Sequence, residues 1–223
     1  MGYTTDLFGK LTLTPNANPM QEEYINKFSS TRRMGRKVDE LMKKFKGKNG
    51  LPSTITPEQQ ALLDELSKSG MSVSVQSIAE TRTAEEIYGK EGEFYVGDNE
   101  FAVIDSNTPP GQVPWSDKSF EGMDRYEENQ RRIDEKLCQP GLWCQWILED
   151  DGSGDGIKLV WDGNEKFYHY VEWLEYMITN FFNPWGIMLN GEIRWEGESS
   201  DDIGKIVVKD NVVTVKKGTI VFD

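Results

Sequence analysis

The apolar positions of this chain switch between two periods, and the switches outline its elements. Leu11 and Leu13 alternate with Lys10, Thr12 and Thr14, which predicts a strand over Phe8–Thr14. After the turn Pro15–Pro19 the period lengthens. Asn18 is an N-cap type and Pro19 suits the first helical position, so a helix is expected to start there and run to about Phe45. Tyr24, Phe28, Val38, Met42 and Phe45 fall on one stripe, with Arg33, Arg36, Lys37 and Lys44 on the opposite, basic side. Within 46–92, Thr56-Pro57-Glu58-Gln59 starts a helix carrying Leu62, Leu63 and Leu66. Met71–Ser77 reads as a short strand and Thr83–Tyr88 as a short helix. Glu93–Val96 and Phe101–Ile104 read as further short strands, Thr108–Pro114 as a loop, and Met123–Lys136 as a solvated helix.

The C-terminal part is denser in apolar residues. Leu142–Leu148 is apolar on both faces, as in a central strand, and Ile157–Trp161 pairs back to it across the acidic turn Glu149–Gly156. Asp162 and Glu165 mark a helix start. Phe167, Val171, Leu174, Ile178 and Phe181 then form a buried stripe as far as Phe182. Met188–Glu196, Gly204–Lys209, Val212–Lys216 and Thr219–Phe222 read as strands, with Asp210-Asn211 as a hairpin turn. The expected fold is α+β: a mainly antiparallel sheet with two long helices packed on one face. The expected organisation is a single domain over 1–223. Its core lies in 1–45 and 140–223, with helical insertions at about 46–92 and 113–138.

Composition sharpens this picture in two places. Six of the seven tryptophans lie between Trp143 and Trp195, which puts the main core there. The net charge of −13 is segregated: residues 1–50 hold ten Lys/Arg against five Asp/Glu, a net of +5, so the rest carries −18. An acidic body disfavours duplex nucleic acid and anionic lipid and attracts a basic partner. No apolar run reaches membrane-spanning length. The N-terminal residues lack a signal pattern, and a cytoplasmic location is expected.

Several motifs in the C-terminal part resemble a family of small proteins found in tailed-phage and bacterial genomes. They are Pro140-Gly141-Leu142-Trp143-Cys144-Gln145-Trp146, Trp161-Asp162-Gly163, the run from Glu165 to Trp173, Asn190-Gly191-Glu192, Gly197-Glu198, Asp201-Asp202 and Gly204–Val213. Tyr3–Asp6, Thr31–Met34 and Asp105-x-Asn107-x-Pro109-Pro110 are similar too, so the likeness covers about half the chain. It implies a phage or prophage accessory protein acting in the bacterial host cell, and it brings no activity or site residue with it.

The chemistry on offer is sparse. Asp151, Ser153, Asp155 and Asp162 follow the spacing of a calcium loop. However, the flanks read as strands and Asp stands where such loops place Glu, so an acidic turn is the expected outcome, with no metal. Cys138 and Cys144 suit neither a disulfide scaffold nor a zinc site. No cofactor is expected. Three functions stay open. The first is a non-enzymatic protein that binds a bacterial host protein, such as a defence or regulatory factor, through Trp195, Glu196, Glu198, Asp201 and Asp202. The second is a small hydrolase or nucleotide-binding enzyme using His169, Glu172 and the acidic cluster. The third is an acidic DNA mimic.

Overall fold

A computed structural model describes residues 2–53, 65, 68, 82–99, 101–102, 106–113 and 125–221. Apart from residues 65 and 68, the helix and strand expected at 56–70 and 71–77 lie outside the described residues, as do positions 103–104, 114, 123–124 and 222 of other expected elements.

Six strands form one antiparallel sheet: β1 (Thr5–Thr14), β2 (Trp146–Asp150), β3 (Ile157–Trp161), β4 (Met188–Gly197), β5 (Ile203–Lys209) and β6 (Val212–Lys217). Their spatial order is β2-β3-β1-β4-β5-β6, so the first strand of the chain lies at the centre. All ten residues of β1 pair with β4, from Thr5 opposite Gly197 to Thr14 opposite Met188. Gly9 and Gly191, at φ 119° and 145°, lie along this seam. A Cβ on Gly9 would run into the carbonyl oxygen of Glu192, so only glycine fits there. The β5–β6 turn is made by Asp210 and Asn211, both left-handed at φ 49° and 66°, as the hairpin signal predicts. Residues 219–221 do not extend the sheet.

Helix α1 (Pro19–Ser30) begins as its sequence dictates. The Asn18 side chain accepts from the amides of Met20 and Gln21, and the Gln21 side chain accepts from the Asn18 amide. The predicted single helix to Phe45 is corrected. It stops at Ser30, and a separate helix α2 covers Val38–Phe45. The segment between them pairs with other parts of the chain instead of with itself: the amide of Arg33 donates to Leu142, that of Arg36 to Glu91 and that of Lys37 to Phe101. Its arginines do not form a basic outer face either. Arg33 and Arg36 are both buried. The Arg33 guanidinium stacks 4.1 Å from the Phe28 ring centroid and donates to the carbonyls of Thr31 and Glu93.

Helices α3 (Ala84–Tyr88) and α4 (Arg125–Asp134) follow, α3 where a short helix is expected and opened by a capping box of Thr83 and Glu86. The second long helix is also shorter than expected. Residues 162–169 form a looped approach with Lys166 and His169 in the left-handed region. Helix α5 covers only Tyr170–Met177 and continues as a π-helix over Ile178–Phe182. Neither helical segment therefore has the length expected of it. One buried cluster joins Leu7, Leu11, Leu189, Ile193 and Ile206 of the strands to Ile25 and Phe28 of α1 and to Trp173 and Phe181 further along. A satellite cluster of Leu41, Ile87, Tyr88 and Tyr95 ties α2 to α3. Glu93–Val96 forms no strand; Tyr95 and Val96 are buried there in irregular backbone. Among the described residues, no helix is long and apolar enough to cross a membrane.

Candidate functional site

The sequence points first to the acidic β4–β5 hairpin, and the structure gives most of that hairpin an internal use. Trp195 is only 6% exposed and lies across Gly204. Its indole N–H donates to Asp202 (3.1 Å), whose other oxygen accepts from the Tyr3 hydroxyl (2.7 Å). Glu198 accepts from the Thr4 amide (2.7 Å), and Asp201 takes the hydroxyl of Ser199. These contacts clasp the N-terminal residues against the hairpin. Glu196 remains exposed on β4, opposite Asp6.

The loop with calcium-like spacing is likewise held by the protein itself. Asp151 pairs with Lys10, whose ammonium holds the carboxyl well below the usual carboxylate range. The Lys158 ammonium donates to the carbonyl of Asp155 (2.7 Å), and Asp162 accepts from both nitrogens of Asn164. Among the described residues, no group of three or more His, Cys, Asp or Glu side chains is placed to hold a metal ion. Cys144 is fully buried, 3.5 Å from the Met177 sulfur, and burial pushes its thiol up to about 12. Cys138 is half-buried and is raised by the same cause.

His169 and Glu172 line different cavities. His169 is on the wall of a 760 Å³ groove, whereas Glu172 lines a smaller one of 180 Å³. The large groove is the feature that the sequence pattern does not show. Three loops build it: 107–112, 140–145 before β2, and 165–169 before α5. Local backbone decides which aromatics face it. The Asp162 carboxylate ties down Asn164, and the left-handed Lys166 and His169 turn the chain at either end of Phe167-Tyr168. Phe167 is thereby buried, edge-on to Trp146 at 5.4 Å, and Tyr168 is left outside at 49% exposure. The Tyr168 hydroxyl accepts from the Tyr3 amide (3.2 Å), which positions the ring.

Trp143 is 44% exposed, although the sequence reads it as part of a central strand. The strand begins only at Trp146, so Trp143 lies in the approach loop and points away from its buried neighbour Cys144. Pro140-Gly141 was the available sign that the loop extends this far. Trp143 stands where the 760 Å³ groove meets another of 440 Å³ that reaches Asn26, Ile147 and Asp162. Tyr126, 65% exposed, lines the same groove together with Pro109, Pro140 and Gln112. The result is an aromatic and proline-walled trough whose size suits a ligand or a peptide segment.

No family model, no curated protein and no solved structure matches the chain.

Proposed function

We propose that this protein acts by binding a partner protein, not by turnover, and that the binding surface is the aromatic groove around Trp143. One observation carries the reading: a large, exposed tryptophan stands at the junction of two grooves, with Tyr168 and Tyr126 exposed beside it. Exposed tryptophan and tyrosine in a concave site are the usual anchors of protein recognition. A trough of aromatics and prolines also fits an extended, proline-containing segment. Charge supports a basic partner: residues 140–202 hold thirteen Asp/Glu against three Lys/Arg. Such a field speeds encounter and leaves affinity to the aromatic anchors. In this reading the Trp195–Asp202 hairpin adds field through Glu196 and Glu198, while buried Trp195 holds the hairpin together. The resemblance to tailed-phage proteins makes a bacterial host protein the natural partner and the host cytoplasm the place.

The test is copurification from bacterial lysate, followed by affinity measurement with whatever partner is identified. Trp143→Ala and Tyr168→Ala should each weaken binding by about 2 kcal/mol, roughly 30-fold in Kd, with the melting temperature little changed at Trp143. Undiminished binding by both variants would remove the groove from the proposal. Loss of biological activity in a folded Glu172→Gln variant that keeps full affinity for the partner would favour an enzyme instead.

A further inference from the structure

The 180 Å³ cavity shares Pro140 with the groove but has a different chemistry. One wall is a single helical face. Glu172, Glu175, Tyr176, Thr179 and Asn180 recur at the three- and four-residue spacings that place side chains in one row. The row crosses from α5 into the π-helix, where the Asn180 side-chain amide donates to the carbonyl of Tyr176 (2.9 Å). The facing wall is apolar, made by Ile133 in the last turn of α4 and by Leu137 and Pro140 after it.

Three carboxylates line the cavity, those of Glu93, Glu172 and Glu175, against a single cation, Lys136. That cation is committed to Glu175 at 3.2 Å. Glu93 is half-buried, and its carboxylate accepts from the Tyr176 hydroxyl at 2.8 Å. Among the described residues it has no ion-pair partner. Arg33, the nearest guanidinium to it by hydrogen bonding, donates to the backbone carbonyl of Glu93 and not to its carboxylate. Buried Gln139 braces the arrangement, with its amide nitrogen donating to both the Tyr176 hydroxyl (3.1 Å) and the Glu93 carbonyl (2.9 Å). A carboxylate withdrawn from water with no counter-charge is costly. Here it faces an opening with one acidic and one apolar wall.

We infer that this cavity receives an organic cation on an alkyl stem, an ammonium or guanidinium whose charge meets Glu93 and Glu172 and whose stem lies on Ile133, Leu137 and Pro140. The shared chemistry covers a free small amine or guanidine and the Lys or Arg side chain of a partner. The inference stands apart from the groove reading, because the walls contain neither Trp143 nor Tyr168.

The test is titration of the full-length protein with n-butylguanidinium, followed by amide NMR shifts, with n-butylurea as the uncharged isostere. The expected result is saturable binding of butylguanidinium at millimolar concentration, with shifts at Glu93, Leu137, Cys138 and Asn180, and none with butylurea. Glu93→Gln should weaken it roughly 10- to 100-fold, the range of a lost charge-assisted hydrogen bond. Should that variant fail to fold, Glu172→Gln on the helix surface should weaken binding in the same direction. Trp143→Ala should leave the probe's affinity unchanged even if it abolishes partner binding, so failure of one proposal is visible separately from failure of the other. With a partner in hand, competition by butylguanidinium marks the cation as the partner's side chain; undisturbed simultaneous binding marks a free small molecule. Equal binding of butylurea, no saturation with butylguanidinium, or full affinity in both Glu variants would overturn the inference.

Discussion

Glu93 ties the candidate site to stability. Burial raises its carboxyl pKa, and the hydrogen bond from Tyr176 offsets part of that rise. The charged and titratable groups around it are Tyr176, Glu172 and Glu175 of α5, Lys136 and Cys138 after α4, Arg33 and Tyr24 from the N-terminal part, and Glu91 on its own loop. A carboxyl whose folded pKa lies above its unfolded value keeps its proton longer in the native state. Its contribution therefore favours folding at low pH and is lost as pH rises through the folded value. Glu93→Gln keeps the shape and cannot ionise. Its melting temperature should gain on the wild type as pH is raised from the ordinary carboxylate pKa, about 4, upward through the raised folded value. Thermal melts across that range check this, and a pH-independent difference would refute it. Arg33 and Arg36 show the same physics with the opposite charge: burial pushes both guanidinium groups down to about 10, still protonated at neutral pH.

At the scale of elements, the outer edge of β2 is protected by α1. The side chain of Asn26 accepts from the Leu148 amide (2.8 Å) and donates to the Leu148 carbonyl (2.9 Å), so it pairs with the strand as a neighbouring strand would. Ser29 donates to the carbonyl of Trp146 on the same edge. An unpaired edge invites association with other chains, and side-chain cover is one way to prevent it. Asn26→Ala should lower stability by about 2 kcal/mol through two lost, partly buried hydrogen bonds. The urea midpoint should fall while the slope stays the same. A loss below about 0.5 kcal/mol would show that water replaces the side chain without cost, and a changed slope would show that the variant alters the surface exposed on unfolding instead.

For the whole molecule, the decisive fact is the position of β1. Between β3 and β4, it joins the β2–β3 hairpin to the β4–β6 meander, and among the described residues no other strand does so. The tryptophan-rich half therefore contains two separate pieces of sheet that meet only through the N-terminal strand. A fragment of residues 140–221 should lack a cooperative unfolding transition despite holding six of the seven tryptophans, and added residues 2–30 should restore one. Cooperative melting of the fragment alone, seen by tryptophan fluorescence, would contradict this topology. Long-range pairing across more than 170 residues, as between Leu7 and Trp195, also predicts slow folding.

Local signals were enough for some of this. The cap at Asn18, the short helix after Thr83, the Asp210-Asn211 turn and the strands β1, β3, β4, β5 and β6 follow from propensity and period, because the residues that determine them are neighbours in the chain. The α+β class follows from their sum. Other features depend on partners far along the chain, and the pattern is silent about them. Nothing near Ser30 predicts that the helix ends there, because the competing hydrogen bonds come from Glu91, Phe101 and Leu142. The inward turn of Arg33 depends on the Phe28 ring and two carbonyls. The burial of Trp195 and the exposure of Trp143 are matters of where strands begin and what covers them. The cavity at Glu93 follows the same rule. The helical row from Glu172 to Asn180 was legible as a polar face, but its cavity exists only because the chain after α4 and the loop at Glu93 pack against it. Period and propensity fix how each segment is shaped, whereas burial and electrostatic pairing are decided by whichever distant groups the fold brings alongside.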